Sequence, residues 1–312
     1  MHRQLELQDV LRRCLASLTP RRQGLPLEVI VVDNASADGA ADMVEQEFPR
    51  VRLVRNDANV GFARGCNQGA RLARGRYLFF LNNDTVVPRG ALARLVGFAR
   101  PRRAVGLVGP RLRDGSGRIQ CSARQRPTVA ALLHRLTLLR WTGLFRAAYR
   151  EYRGRGIDAK TTRPVEVLMG AALLMPRRVY RAVGGWDEGY TFGGEDIELC
   201  ARVARTHEVV YYPAVEVLHL GRESSREHTG YATANTLVGV TRSMRQTGTP
   251  GLALAAYKLA FTLDLPLRAA VLGTRHLVAS MRGKERAALR ARRELVGLAY
   301  FVRHALGAFW RA

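Results

Sequence analysis

Three short apolar runs constrain this 312-residue chain more than any other feature. The run at 27–33 passes through Val29, Ile30, Val31 and Val32 and stops on Asp33. The run at 51–56 stops on Asn56, and Tyr77-Leu-Phe-Phe-Leu81 runs straight into Asn82-Asn83-Asp84. Short apolar stretches rich in β-branched residues read as strands covered on both faces. Between them lie helix-patterned segments. One is 38–48, with Ser36 or Asp38 as cap and Pro49 as stop; the other is 61–73, with Gly61, Gly65 and Gly69 at every fourth position. Alternating strand and helix predicts an α/β fold with a doubly wound, mostly parallel sheet. Such sheets bind ligands beyond the carboxyl ends of their strands, so the polar residues that finish each run are the first candidates for chemistry.

The rest of the chain extends the pattern and then leaves it. A helix is expected at 7–18, with Leu7, Val10, Leu11, Leu15 and Leu18 on one face. Residues 115–164 are irregular and punctuated by Gly115, Gly117, Gly154 and Gly156. A strand at 165–175 follows, then a helix from Pro176 closed by Gly184-Gly185, and a last strand at 208–220. From 226 onward the pattern is helical. Leu295, Leu298, Val302, Leu306 and Phe309 share a face, with Arg292, Arg293 and Arg303 elsewhere. Basic amphipathic helices of this kind suit an anionic membrane interface, and equally suit packing on a neighbouring domain.

Charge and cysteines narrow the classes. Net charge is +24, almost all of it arginine, since only Lys160, Lys258 and Lys284 are lysines. The arginines are spread along the chain and no zinc-finger or basic-zipper spacing occurs, so no nucleic-acid partner is expected. Cys14, Cys66, Cys121 and Cys200 form no CxxC pair and read as reduced thiols. The opening residues carry no apolar leader, and no run approaches the roughly 20 apolar residues of a membrane span, which predicts a cytoplasmic protein.

Each candidate site residue has a plain structural alternative. Asp33, Asn34 and Ser36 form either a turn with a helix cap or a strand-end contact to a ribose or base. Asn59, Gly61, Arg64 and Asn67 sit at a glycine-rich helix start that can face a diphosphate or simply allow close packing. Asn82, Asn83 and Asp84 either cap the next helix or seat a hard divalent cation, which takes one or two carboxylates plus substrate phosphates. Glu195 and Asp196 open a helix after Gly193-Gly194, where acids favour the helix dipole but Asp196 can also serve as general base. Trp186, Tyr190 and Phe192 before them fit a sugar-stacking acceptor loop. His219, at the end of the last strand, is a structural histidine or the completion of a metal shell beside Asp84.

Taken in order, the blocks at 28–40, 59–87, 170–203 and 218–221 resemble the inverting family 2 glycosyltransferases of the GT-A fold, nearest the bacterial rhamnosyltransferase-like enzymes. The resemblance implies a nucleotide-sugar-binding half at 1–115, an acceptor-binding half at 116–225 and a helical extension at 226–312. It implies nucleotide-sugar contacts from Asp33, Asn34, Ser36, Asn59, Gly61, Arg64, Asn67, Asn82 and Asn83. Asp84 and His219 would hold Mg²⁺ or Mn²⁺, Asp196 with Glu195 would be catalytic, and Trp186 and Asp187 would line the acceptor side. The implied reaction moves a sugar from a nucleotide-diphosphate donor to a glycan or lipid-linked acceptor in cell-surface polysaccharide synthesis, peripherally on the inner face of the membrane. A catalytically impaired scaffold is the alternative, and a basic nucleic-acid-binding protein, suggested by charge alone, the less favoured one. Family members begin with an apolar strand ending in a Thr-Tyr-Asn-like segment, and this chain is expected to lack it.

Overall fold

The computed structural model describes residues 7–220 and 229–312, so expectations resting on residues 1–6 and on Gly221 lie outside it. The chain packs as two units, one of residues 1–125, 157–191 and 195–224, the other of 126–156, 192–194 and 225–312.

The first unit holds every described strand. These are β1 (Ile30–Asp33), β2 (Arg52–Arg55), β3 (Tyr77–Leu81), β4 (Thr85–Val86), β5 (Val105–Arg113), β6 (Ala123–Arg124), β7 (Arg163–Pro164), β8 (Val167–Leu168), β9 (Ala172–Pro176) and β10 (Glu208–His219). β1 and β2 form a parallel pair of their own, joined through the Ala40–Glu47 helix. The main sheet runs β3-β9-β5-β10-β4, with β7 also on β10, and a third small sheet pairs β6 with β8. Parallel pairing is confined to β1–β2 and β5–β10; the other ladders are antiparallel. Parallel neighbours need a long crossover, whereas a strand entering from a loop is free to run the other way. Among the described residues no strand bridges β1 and the main sheet.

Both faces of the main sheet are covered, which is why its strands read as unbroken apolar runs. Leu78, Phe80, Leu173 and Met175 enter one core with Val179, Leu199 and Val203 from helices. Leu174 and Val108 enter the opposite core with Leu92 and Leu95, as the two-residue side-chain period of a strand requires. The strand expected at 165–175 is broken at a turn containing Gly170 into β8 and β9, which pair in different sheets. β10 changes register against β5 between Tyr212 and Glu216, around Pro213, which has no N–H to give a ladder. None of the four cysteines is in a disulfide, and burial pushes the thiols of Cys14 and Cys200 up to about 11 and about 12.

The second unit is helical. Its long elements are Thr229–Gln246, Gly251–Met281 and Glu285–Tyr300, the last continuing through a π-helical turn at Phe301–Ala305 into Leu306–Arg311. Tyr257, Phe261, Phe301 and Phe309 pack edge-to-face or tilted at its centre. The region expected to be irregular contributes three short helices, Val129–Leu133, Thr137–Thr142 and Arg146–Tyr152. Buried Asp264 accepts from Thr137 N at 2.9 Å and Thr137 Oγ1 at 3.0 Å, capping one of them from another element.

Gly193 and Gly194 hold positive φ and press on the Thr229–Gln246 helix, where a Cβ on Gly239 would come within 1.7 Å of the Gly193 carbonyl oxygen. The partner is backbone and cannot yield cheaply. Gly239→Ala is therefore expected to cost about 2 kcal/mol or more, read as a fall in the denaturant midpoint.

Candidate active site

The main sheet brings together Asp84 and His219. Asp84 ends the turn between β3 and β4, and β4 pairs antiparallel with the end of β10 in the register His219 to Thr85. Leu220 N donates to the Asp84 carbonyl at 2.9 Å, closing the ladder. Both side chains are buried, and His219 Nε2 lies 3.3 Å from Asp84 Oδ1. The turn is held independently, because Thr85 Oγ1 donates to the Asn82 carbonyl at 2.7 Å and Asn82 N donates to Ala171 O at 2.9 Å. Asp84 does not cap the next helix: Ala91–Ala99 begins after Gly90, and Leu92 N donates to Gln23 Oε1.

Gln120 decides the state of that histidine. Its Nε2 donates to the His219 carbonyl at 2.8 Å, which turns its Oε1 to His219 Nδ1 at 2.7 Å. An amide oxygen only accepts, so Nδ1 carries a proton, and it is the Nε2 side of the ring that is left to face Asp84. Asp84 Oδ1, across from that nitrogen, is buried without a hydrogen-bond partner. A carboxylate oxygen and an imidazole lone pair, with the second ring nitrogen fixed from behind, are a donor set that fits a divalent cation. Among the described residues no third acid, histidine or cysteine completes a cluster, leaving the remaining positions to water or phosphate oxygens.

Asp196 lies in the first turn of the Glu195–Val203 helix and is 8 % exposed. Arg124 Nη2 donates to its Oδ2 at 2.9 Å, and Ile197 N donates to Oδ1 at 2.9 Å, so the carboxylate has one orientation. Gln120 and Arg124 belong to the same short segment, which turns at Gln120, where Ser122 N donates to the Gln120 carbonyl at 2.9 Å, and then enters β6. Four residues of extended chain reach at most about 14 Å, so one short segment steadies both His219 and Asp196. Glu198, two residues on and so on the other side of the helix, is bound by Arg202 as a structural pair.

At the carboxyl end of β1, Asp33 Oδ2 accepts from Ser36 N at 3.2 Å across a turn with Ala35 at positive φ. Asn34 Nδ2 donates to the Gly61 carbonyl at 3.4 Å, and Asn34 Oδ1 accepts from Asn56 at 2.9 Å. Asn59 Oδ1 accepts from Gly61 N, at the start of the Phe62–Leu72 helix. Three expected contacts are placed differently. Asn67 is buried, taking Trp186 N on Oδ1 and giving its amide hydrogens to Trp186 O and Glu188. Trp186, expected on an acceptor surface, is 2 % exposed and packs edge-on against Phe62 and Phe80. Tyr190 is buried too. Arg64 meets Glu188 at 3.0 Å; the Asn67 amide first, then Arg64, hold the Glu188 carboxyl below its usual range. Asp187, half-buried, accepts from Gly189 N.

Gln120 and Arg124 are the residues that sequence reasoning missed. Their only signal in the chain was a polar alternation in a loop read as irregular.

Residues 4–182, more than half of the chain, match the family model of glycosyl transferase family 2. The chain belongs to glycosyl transferase family 2. It is 32 % identical over 223 residues to the N-acetylglucosaminyl-diphospho-decaprenol L-rhamnosyltransferase of Mycobacterium tuberculosis, covering 67 % of this chain and 71 % of that one. Among solved structures it resembles the mannosyltransferase PcManGT of Pyrobaculum calidifontis, in complex with GDP-Man and Mn²⁺ (TM-score 0.54, 20 % identity, 97 % of this chain and 84 % of that one). It also resembles GalNAc-T7 with UDP, GalNAc and Mn²⁺ (TM-score 0.51, 16 % identity, 68 % and 40 %). At these identities the two structures bear on fold alone, and the fold is the GT-A one. As a family 2 member of this type, the chain is a glycosyltransferase.

Proposed function

We propose that this family 2 glycosyltransferase moves a sugar, with inversion, from a nucleotide-diphosphate donor to a hydroxyl of a lipid-linked glycan at a membrane surface. The observation that carries the reading is the buried Asp84 Oδ1, without a hydrogen-bond partner, opposite Nε2 of His219. Asp84 and His219 would hold Mg²⁺ or Mn²⁺, the latter present in both related structures. A cation there supplies neutralisation of the charge that develops on the departing diphosphate. Asp33, Asn34 and Ser36 would face the nucleoside, and Asn59, Gly61 and Arg64 the diphosphate, with Asn82 and Asn83 beside it. Asn67 would act from behind, by pinning the Trp186 loop.

Asp196 would take the proton from the acceptor hydroxyl, with Glu195 beside it and Arg124 fixing its carboxylate. Asp187 is the acceptor-side candidate. The family-model match ends at residue 182, so the roles of Asp196 and His219 rest on geometry. The lipid-linked acceptor is inferred from the mycobacterial relative, an N-acetylglucosaminyl-diphospho-decaprenol L-rhamnosyltransferase.

The direct test is nucleotide release from a panel of nucleotide-diphosphate sugars, with Mn²⁺ or Mg²⁺ and a prenyl-diphosphate-linked N-acetylglucosamine. Release that needs both metal and acceptor is expected. No release and no thermal protection by any nucleotide, with unfolding still cooperative, would favour the scaffold alternative. A second test addresses Gln120: Gln120→Leu is expected to weaken Mn²⁺ binding by about 10- to 100-fold in a titration, because Nδ1–H loses its acceptor. Gln120→Glu, which keeps an oxygen facing Nδ1, should restore most of it.

A further inference from the structure

We infer that the exposed face of the Gly251–Met281 helix, with the arginine-rimmed groove beside it, lies flat on an anionic lipid bilayer. With 31 residues the helix is about 46 Å long. Leu252, Leu259, Leu263, Leu277 and Met281 recur on one side at helical spacing, and they are 85, 53, 71, 61 and 79 % exposed. Ala255, Ala256, Pro266, Ala270 and Thr274 fill the same exposed line, so no charge interrupts it from end to end. The charged residues of the helix, Lys258, Asp264, Arg268 and Arg275, lie on its other sides, the first two buried. Scattered exposed leucines are ordinary; a continuous apolar line of this length marks a surface that meets something apolar.

Charge identifies the occupant. The second unit contains 21 basic against 5 acidic residues, a net +16 of the chain's +24. A groove of about 840 Å³ between this helix and Glu285–Tyr300 is lined by Leu272, Val278 and Ala291, with exposed Trp141 at its edge. Arg275, Arg282, Arg286 and Arg290 rim it, all exposed and with no ion-pair or hydrogen-bond partner among the described residues. Surface arginines of the first unit, such as Arg12, Arg55 and Arg113, instead pair with acids. An apolar strip beside unpaired guanidinium groups, with an indole at the boundary, matches the acyl region and phosphate layer of an anionic membrane. No helix among the described residues is long and apolar enough to cross a membrane, and in-plane contact asks for none. The inference deepens the lipid-linked-acceptor reading but does not depend on the identity of the sugar.

The test is flotation of the full chain with phosphatidylglycerol-containing or pure phosphatidylcholine vesicles. The chain is expected to float with the first, much less with the second, and to release with salt. Leu259→Glu/Leu263→Glu/Leu277→Glu changes exposed positions only. It should lower the bound fraction by about tenfold or more while the circular dichroism and Mn²⁺ titration stay as in the parent. Arg282→Glu/Arg286→Glu/Arg290→Glu should do the same to anionic vesicles alone. Equal flotation of parent and leucine variant overturns the inference. So does a parent dimer in vesicle-free solution that the leucine variant dissociates, which assigns the face to a second copy. Loss of nucleotide release in the parent with flotation intact would instead strike the catalytic reading and leave this one standing.

Discussion

Asp84→Asn is expected to abolish Mn²⁺ binding and transfer while making the metal-free protein more stable. In the parent, Asp84 Oδ1 faces His219 Nε2 at 3.3 Å without a hydrogen bond, and Gln120 Oε1 takes the proton of Nδ1 on the far side of the ring. An asparagine in the same place can turn its Nδ2 toward His219 Nε2 and donate. That replaces an unpartnered buried oxygen with a hydrogen bond, a gain of about 1 kcal/mol. The same change removes the anionic ligand from the proposed cation site and should weaken Mn²⁺ by more than about 100-fold. Stability gained where activity is lost is the signature of a site held in strain for function. The measurements are denaturant unfolding without metal and a Mn²⁺ titration. A variant that loses stability and still binds Mn²⁺ would end the metal assignment.

Asp196→Asn should lower turnover by about 10³-fold with Mn²⁺ affinity and donor binding unchanged. The amide keeps an oxygen for Arg124 Nη2 at the position now 2.9 Å away and gives up only the Ile197 N contact, so the fold should be retained at a cost of about 1 kcal/mol while proton acceptance is lost. Single-turnover rates at saturating donor and acceptor isolate that step. If turnover falls less than tenfold, Asp196 is not the base, and Glu195 at the same helix start becomes the residue to change. Together the two variants separate the leaving-group side of the reaction from the acceptor side, which a single inactive mutant cannot do.

Much of this arrangement was legible in the chain. Asp33, Asp84, Asp196 and His219 were identifiable because each sits where an apolar strand ends or a helix begins, and those boundaries are written in local spacing. Trp186 shows where such reading fails. An aromatic before a glycine-rich turn has the same sequence whether it faces a sugar or a core. Here Phe62 and Phe80, from a distant helix and strand, enclose it. Asn67 fails for the same reason: its amide is consumed by Trp186 and Glu188, more than a hundred positions away. Gly193 and Gly194 are marked in the sequence only as a break before a helix, whereas in the structure they hold positive φ with their backbone packed against Gly239.

By itself the sequence determined β1, β2, β3 and β10, the helices beside the first three, the strand-end acids and the basic helical tail, since each depends on neighbours a few residues apart; it left unmarked β5, the middle strand of the main sheet. Tertiary structure decided that β4 and β10 pair in the register that sets Asp84 beside His219. It decided that Gln120 fixes the histidine's proton and that Arg124 orients Asp196. It also decided which side of the Gly251–Met281 helix is left uncovered. Those outcomes depend on register and burial between segments far apart in the chain, where one residue of slip would turn a ligand away from its partner.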